Sequence, residues 1–287
     1  MSRALEILTS GPLTLVQDLG RPGLAALGVG ESGAADRGAF RLGARLLAQD
    51  YGSAALEVTF GGLVVRAGGD LMLALTGAEA PVTVDGRYIP HRSPFPLRDG
   101  ETLTIGTPTV GLRTYLSVRG GVDVSPVLGS RATDTLSGIG PPPVRSGDVL
   151  PVGPPPHDFP VVDVAPAPRP SGGELVLHAL PGPREDWLAE PATLTTATWI
   201  VSSRSDRVGI RLEGPTLHRP PARAGRELPS EGVVRGGIQV PAGGEPVLFL
   251  ADHPVTGGYP VVAVVGEHDL DGAAQAVPGQ SARIILG

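Results

Sequence analysis

The chain contains no cysteine. Disulfides, thiolate metal ligands and cysteine nucleophiles are therefore excluded. Lysine is absent as well, and all 23 basic residues are arginine. The chain cannot supply a P-loop lysine or a Schiff-base lysine. Asparagine is also missing, so there is no glycosylation sequon. Net charge is −6 with no basic block, which argues against binding nucleic acid by neutralising phosphates. No stretch approaches about 18 uninterrupted apolar residues. Met1 to Ser10 carries one arginine and no long apolar run. Neither a membrane span nor a signal peptide is read, and the expectation is a soluble, cytoplasmic protein.

What is abundant is glycine, 42 residues, and proline, 31, set among 41% hydrophobic residues. Glycine and proline punctuate many short apolar runs, which is the pattern of an all-β protein rich in turns. The length, 287 residues, suits one large β domain or two smaller ones. Pro154-Pro155-Pro156, followed by Pro166, Pro168 and Pro170, forms a semi-rigid, non-helical connector. It predicts one domain over residues 1–160 and a second over 172–287.

In the first half, Leu5 to Leu8 reads as a strand. Val16 to Gly23 and Gly28 to Asp36 read as a glycine-rich loop, with Ser32 or Asp36 capping the segment after it. Asp36 to Gln49 has helical spacing, with Ala39, Leu42 and Leu46 on one stripe and Arg37, Arg41 and Arg45 on the other, a solvated face. From Ala55 to Gly153 the signal is β. Leu71 to Leu75, Glu101 to Ile105 and Leu112 to Val118 read as strands. Val82 to Ile89 reads as a hairpin with an Asp-Gly turn. Arg119-Gly120-Gly121 and Gly129 to Asp134 are glycine-flanked polar clusters. Backbone N–H groups there can cradle an anion beside Arg119 or Arg131; a tight turn accounts for the same residues.

In the second half, Glu174 to Ala179, Thr198 to Val201, Ile210 to Gly214 and Ala282 to Leu286 read as strands. Pro183 to Leu188 reads as one helical turn and Asp269 to Gln275 as a short helix. The most informative stretch is Pro246 to Gly266. Val247 to Leu250 and Pro260 to Val265 read as buried strands around a loop holding Asp252, His253, Thr256, two glycines and Tyr259. Loops on rigid strands often carry function, and a polar turn reads the same way. The six histidines show no metal-ligand spacing. Only His253, beside Asp252, lies in a polar cluster where a group titrating near neutrality can move protons. Asp252 and His253 share a site only if they lie in the loop, because adjacent strand residues face opposite ways. Arg119, Arg131 and Arg207 offer the paired donors that hold carboxylate or phosphate; surface ion pairs would use them equally well.

Several short motifs then occur in a telling order. They include Gln17-Asp18-Leu19-Gly20-Arg21-Pro22-Gly23, Ser32-Gly33-Ala34, Leu56-Glu57-Val58-Thr59, Tyr115 to Gly121 and Gly129-Ser130-Arg131. Further on come Ser205 to Leu212, Ser230-Glu231-Gly232, Ile238-Gln239-Val240-Pro241, Leu250-Ala251-Asp252-His253 and Thr256-Gly257-Gly258-Tyr259-Pro260. Over nearly its whole length the chain resembles the allophanate hydrolase subunit 2 family, which takes in the C-type subunits of 5-oxoprolinases, KipA-like proteins and biotin-dependent carboxyltransferase family proteins. It departs from the family pattern at Glu31, Ala35, Ala132 and Gly140 to Arg145.

The resemblance implies a mainly β fold of tandem cyclophilin-like β-barrel domains with few short helices. It implies a B-type partner (allophanate hydrolase subunit 1, KipI-like), an A-type ring-opening protein and a small amide substrate. It implies use of ATP, with magnesium shared with the partner, to phosphorylate 5-oxoproline for opening to glutamate. Covalent biotin is not expected on a chain without lysine. Asp252, His253, Gln239 and Tyr259 are the implied catalytic residues. Arg207, Asp206, Glu231, Thr256, Arg119, Arg131 and Ser32 are the implied substrate or phosphate holders, and no metal ligands are implied. The resemblance leaves two other roles open: a KipA-type regulator that sequesters a kinase inhibitor, and a carboxyltransferase component acting on urea or a similar amide.

Overall fold

The structure, a computed structural model, describes residues 3–161, 164–166 and 170–287. Pro168 of the connector lies outside the described residues. The chain forms two compact units. The first comprises Met1–Arg21, Ser32–Asp134 and Gly138–Pro170; the second comprises Pro22–Glu31, Thr135–Ser137 and Ser171–Gly287. Two short excursions from the first half of the sequence thus belong to the second unit.

The first unit is built from two antiparallel sheets. One runs, in spatial order, Val149–Pro151, Ala4–Ser10, Leu63–Gly68, Thr102–Ile105, Val82–Val84 and Arg87–Tyr88; the other runs Leu13–Gln17, Ala55–Thr59, Val110–Val118, Leu71–Glu79 and Pro94–Leu97. Leu5, Ile7, Val65 and Leu103 from the first sheet share one core with Leu56, Leu73, Leu75 and Leu116 from the second. The Asp-Gly hairpin forms as the sequence predicts, with Asp85 and Gly86 at φ 45° and 80°, the double positive φ of a turn that matches strand twist.

Two readings need correction. Val16 and Gln17 end a strand, Leu13–Gln17, instead of opening a loop. Thr14 to Gln17 are all buried, so the strand shows none of the alternation that marks exposure on one side. The helix spans Arg37–Leu46 with the Asp36 carboxylate accepting from Ala39 N at its start. Its arginine stripe is less solvated than expected, since only Arg45 is exposed. The opposite face buries Phe40, Leu42, Gly43, Ala44 and Leu46.

The second unit is a closed seven-stranded barrel. Its order is Leu175–Pro181, Val261–Val265, Gly237–Gln239, Val247–Phe249, Gly209–Glu213, Trp199–Val201 and Ser281–Leu286, with the last strand parallel to the first. Closure leaves no free sheet edge in the ring. Leu177, Trp199, Leu212, Ile238, Leu248 and Ile284 fill the interior. The chain is mainly β with few short helices, as the sequence indicates.

Gly43 shows how tightly the first unit's helix sits. A Cβ at this position would lie 2.2 Å from Ser117 Oγ and 3.1 Å from Ser117 Cβ. Gly43→Ala is therefore expected to destabilise the first unit by roughly 1–3 kcal/mol through overpacking, despite the better helix propensity of alanine, as read from the denaturant midpoint. An unchanged or raised midpoint would contradict this packing.

Candidate functional site

The loop between Val247–Phe249 and Val261–Val265 is anchored by a buried ion pair. Arg207 and Asp252 are 2% and 1% exposed. Arg207 Nε donates to Asp252 Oδ2 and Nη2 to Oδ1, each at 2.9 Å. This is the two-pronged geometry that makes arginine–carboxylate pairs strong. Thr135 adds its N–H at 2.9 Å and its hydroxyl at 2.7 Å, both to Oδ2. The backbones are tied too, Asp252 N to Arg207 O at 3.0 Å and Leu250 N to Val208 O at 3.0 Å. Both carboxylate oxygens of Asp252 are thus occupied by cationic or hydroxyl donors. Asp252 holds the loop in place and is not positioned as a free proton acceptor, and the Arg207 fork is filled by the chain's own carboxylate.

His253, the next residue, is half-buried and stacks at 5.8 Å on Phe249. Its Nδ1 lies 2.7 Å from the Pro254 carbonyl oxygen. A carbonyl only accepts, so Nδ1 carries the proton and Nε2 keeps a lone pair. Burial lowers the imidazole pKa below its ordinary 6.5; the Pro254 carbonyl, Glu31 and Asp252 pull the other way and Arg235 adds to the lowering. The net result is a ring that is neutral near pH 7.

The same loop forms a two-stranded ribbon, Thr256–Gly257 against Glu231–Gly232. It rests on Val233, Phe249 and Val261. Gln239 sits on the adjoining barrel strand, and a Cβ placed on Gly257 would be 3.6 Å from its Oε1. The Gln239 amide thus lies within van der Waals reach of the loop at Gly257. Thr256 and Tyr259 are exposed on the loop. Glu231 is bound by Arg184 through Nε at 3.0 Å and through Nη2. Asp206 Oδ1 accepts from Val208 N and Gly209 N at 2.8 and 3.1 Å, so it shapes the turn before the Gly209–Glu213 strand.

The first unit contains a separate knot of loops. Asp18 accepts from Gly20 N at 2.8 Å, Ser130 Oγ at 2.6 Å and Arg131 N at 2.6 Å. The anion cradle expected at Gly129 to Asp134 is real, and the anion in it is Asp18. Arg131 itself reaches the Val124 carbonyl and Asp123. Ser32 is fully buried, at φ 55°, a strained conformation for a residue with a Cβ. Its hydroxyl donates to Thr133 O at 3.2 Å. The turn it opens is pinned by a buried carboxylate: Glu57 accepts from Ala35 N at 3.0 Å and from Tyr115 Oη at 2.7 Å, while Tyr115 Oη accepts from Asp36 N at 2.8 Å. Burial, then the Glu57 charge, pushes the Tyr115 phenol well above its ordinary range, so it stays protonated and can donate.

Arg119 lies away from this knot. Its guanidinium donates to the carbonyls of Leu47, Pro156 and Asp158 and packs at 4.7 Å over Phe159. It clamps the start of the connector in place of the anion holder expected. Asp18, Gln17, Arg21 and Glu57 stood in motifs already noticed, but their burial was invisible there. Thr135 and Arg235 carried no signal in sequence, and Glu31 stood out there only as a departure from the family pattern.

A closed barrel with a neutral imidazole on an anchored loop and a primary amide on an adjoining strand, joined in one chain to a second β unit with knotted polar loops, defines a mainly-β domain pair that carries most of its polar chemistry on rigid loops. The model of the carboxyltransferase domain, subdomain A and B, matches residues 27–285, and the chain belongs to that family. It is 37% identical over 281 residues to the C-type subunit of the 5-oxoprolinase of Escherichia coli (strain K12), covering 96% of this chain and 89% of that one. It is 34% identical over 306 residues to the urea amidolyase of Saccharomyces cerevisiae, covering 98% of this chain and 16% of that protein. The crystal structure of the K. lactis urea amidolyase superposes with a TM-score of 0.92 at 31% identity, over 99% of this chain and 18% of that one.

Removing one partner of a buried pair leaves the other charge unanswered. Asp252→Ala is expected to destabilise the second unit by about 3–5 kcal/mol, read by denaturant unfolding. A loss below about 1 kcal/mol would match an exposed pair and contradict the anchoring role.

Proposed function

We propose that the chain is the C-type subunit of an ATP-dependent 5-oxoprolinase, acting with a B-type partner, while an A-type protein completes ring opening to glutamate. What carries the reading is His253, a neutral imidazole with its Nε2 lone pair available, on a loop fixed by the Arg207–Asp252 pair, with the Gln239 amide lying against the same loop at Gly257. Support comes also from the likeness to a 5-oxoprolinase component along 89% of that relative's length.

The chemistry follows from the donor and acceptor set. A lactam presents a carbonyl acceptor and an N–H donor on the same edge. Gln239 offers an NH2 donor to the lactam carbonyl, which leaves the ring N–H to the base. Phosphorylation of the lactam oxygen requires the ring nitrogen to lose its proton as the C=N bond forms. His253 Nε2 takes that proton as a general base. Tyr259 and Thr256 stand on the exposed side of the loop and can contact the rest of the substrate. Asp252 and Arg207 position His253 and do not exchange protons. The fit to ATP and magnesium is poor within this unit. Arg207 and Arg184 are both paired with carboxylates, and no cluster of three or more metal-binding side chains occurs among the described residues. The nucleotide is accordingly assigned to residues of the partner, and no step of this chain runs through it.

The likeness to urea amidolyases favours a second reading, carboxyl transfer to urea or a related amide. Gln239 and His253 would perform the same pairing and deprotonation, with biotin on a separate carrier because the chain lacks lysine.

The test is reconstitution with the partner proteins and measurement of 5-oxoproline-dependent ATP hydrolysis. His253→Ala is expected to lower kcat by roughly 10²–10⁴-fold, the range for a lost general base, with little change in stability. Full activity in that variant, or no activity in the wild type, would overturn the assignment. Urea-dependent turnover with a carboxylated carrier would favour the second reading, and any turnover would exclude a purely sequestering regulator.

The pH dependence has a defined sign. The folded pKa of His253 is lowered, so the base is available throughout the neutral range. Activity is expected to hold steady as pH falls to the ordinary histidine value of 6.5 and to decline only below it. The same shift removes stability as pH drops below the unfolded value, because only the unfolded chain takes the proton readily. A kcat/KM profile that already declines above pH 7 would contradict a neutral His253.

A further inference from the structure

The barrel strands of the second unit are held by backbone ladders, but residues 219–230 are not. Their backbone hydrogen bonds stay within the segment: Arg223 N to Pro220 O at 2.8 Å, Ala224 N to Pro221 O at 3.2 Å and Arg226 N to Arg223 O at 3.2 Å. None reaches another element among the described residues. All of the segment except Arg219, Pro220, Arg223 and Leu228 is exposed. Few buried contacts and few backbone ties are the marks of a segment that opens locally, well below the energy of global unfolding. Both ends are fixed. Ala189 N donates to His218 O at 2.9 Å just before it, and Glu231–Gly232 pairs with Thr256–Gly257 just after it.

What holds the segment is a set of side chains gathered on one aromatic ring. The guanidinium carbons of Arg223 and Arg219 lie 4.8 and 5.3 Å from the centre of the Trp187 ring. Arg223 also pairs with Asp186, and Arg219 Nη1 donates to Arg226 O at 2.7 Å. Trp187 is 4% exposed and ends the turn Glu185–Trp187. The approach to that turn is pinned to the barrel strand Val261–Val265, with Gly182 N donating to Val262 O at 2.8 Å and Arg184 N to Val261 O at 3.1 Å. The ring is thus a fixed platform, and two cations stacked on it secure a segment that has no ladder of its own. The far end of the segment meets the loop that carries His253. A Cβ at Gly258 would lie 3.4 Å from Leu228 O. Arg184 Nε donates to Glu231 Oε2 at 3.0 Å where the segment joins the ribbon.

We propose that residues 219–230 form a strap over the Gly258 end of the His253 loop, with Trp187 as its catch: Arg219 and Arg223 hold it closed, and their release from the ring uncovers the loop for a ligand to enter. Opening exchanges two cation–π contacts and one exposed ion pair for hydration, and leaves the barrel ladders intact. The loop is the one to which the proposed function assigns the site. The test reads protection and not turnover, so the strap and that reading can fail separately.

The experiment is brief trypsin digestion of the full chain, with hydrogen exchange followed by mass spectrometry in parallel. Arg219 precedes a proline and is not a cleavage site, so Arg219→Gln weakens the catch without removing a site. Cleavage after Arg223 and Arg226 is expected to become roughly 3–10-fold faster in that variant. Asp186→Asn, which releases Arg223 from its carboxylate, should move it in the same direction by roughly 2-fold. Cleavage after Arg211, inside a barrel strand, should keep its wild-type rate. Exchange should quicken at Gly257 to Tyr259 as well as in the strap. Unchanged cleavage in both variants would overturn the catch. Faster exchange in the strap with none at Gly257 to Tyr259 would overturn the covering role. An equal rise after Arg211 would mean global unfolding and overturn local opening.

Discussion

The Arg207–Asp252 pair is the constraint from which the second unit's chemistry follows. A guanidinium and a carboxylate removed from water are costly unless each satisfies the other. Here the fork geometry, the Thr135 hydroxyl and the Thr135 N–H meet that requirement at one point. The pair ties the turn before the Gly209–Glu213 strand to the loop after Val247–Phe249. It thereby fixes the backbone at residue 252, and with it the ring at residue 253. The Pro254 carbonyl then selects the tautomer, and burial keeps the ring neutral. A neutral imidazole with a free Nε2 lone pair is obtained while Asp252 stays engaged with Arg207 and Thr135.

The first unit uses the same principle with different residues. Asp18 is the anion for its own chain's cradle, and Glu57 with Tyr115 pins the turn at Ser32. In a chain without lysine, arginine supplies the fixed cations, and backbone N–H and hydroxyl groups supply many of the other donors. Most of them are engaged internally, which turns groups that look like ligand holders in sequence into structural ties. In the second unit's loop region, the His253 Nε2 and the Gln239 amide keep donor or acceptor capacity. Function is assigned to these because the physics of burial has already accounted for the others.

Much of the architecture was legible beforehand. Alternating and β-branched runs marked Val247–Phe249, Val261–Val265 and Thr102–Ile105, and the Asp85-Gly86 turn announced its hairpin. The Leu13–Gln17 strand was hidden because its buried residues run on without alternation, and Val16-Gln17 sat beside turn-forming residues. The Arg37–Arg41–Arg45 stripe is fully exposed only at Arg45 and half-buried at Arg37 and Arg41, because helix periodicity shows which residues share a face and not what covers it. In the site, the loop carrying Asp252 and His253 was visible as a polar island between apolar strands. Which of the two was free was not visible, since that depends on Arg207, 45 residues earlier, and on Thr135, 117 residues earlier.

By itself, the order of residues determined the chain's β character, the absence of lysine and thiol chemistry, the loops that bear polar groups and the family resemblance. These are properties of local pattern and composition, and local pattern survives without knowledge of partners. Only the tertiary structure decided which charges neutralise one another. Asp252 belongs to Arg207, Asp18 to the Gly129–Asp134 loop, and Arg119 to the connector's carbonyls. Pairing across long separations is set by the geometry of closed sheets and burial, and no spacing along the chain encodes it.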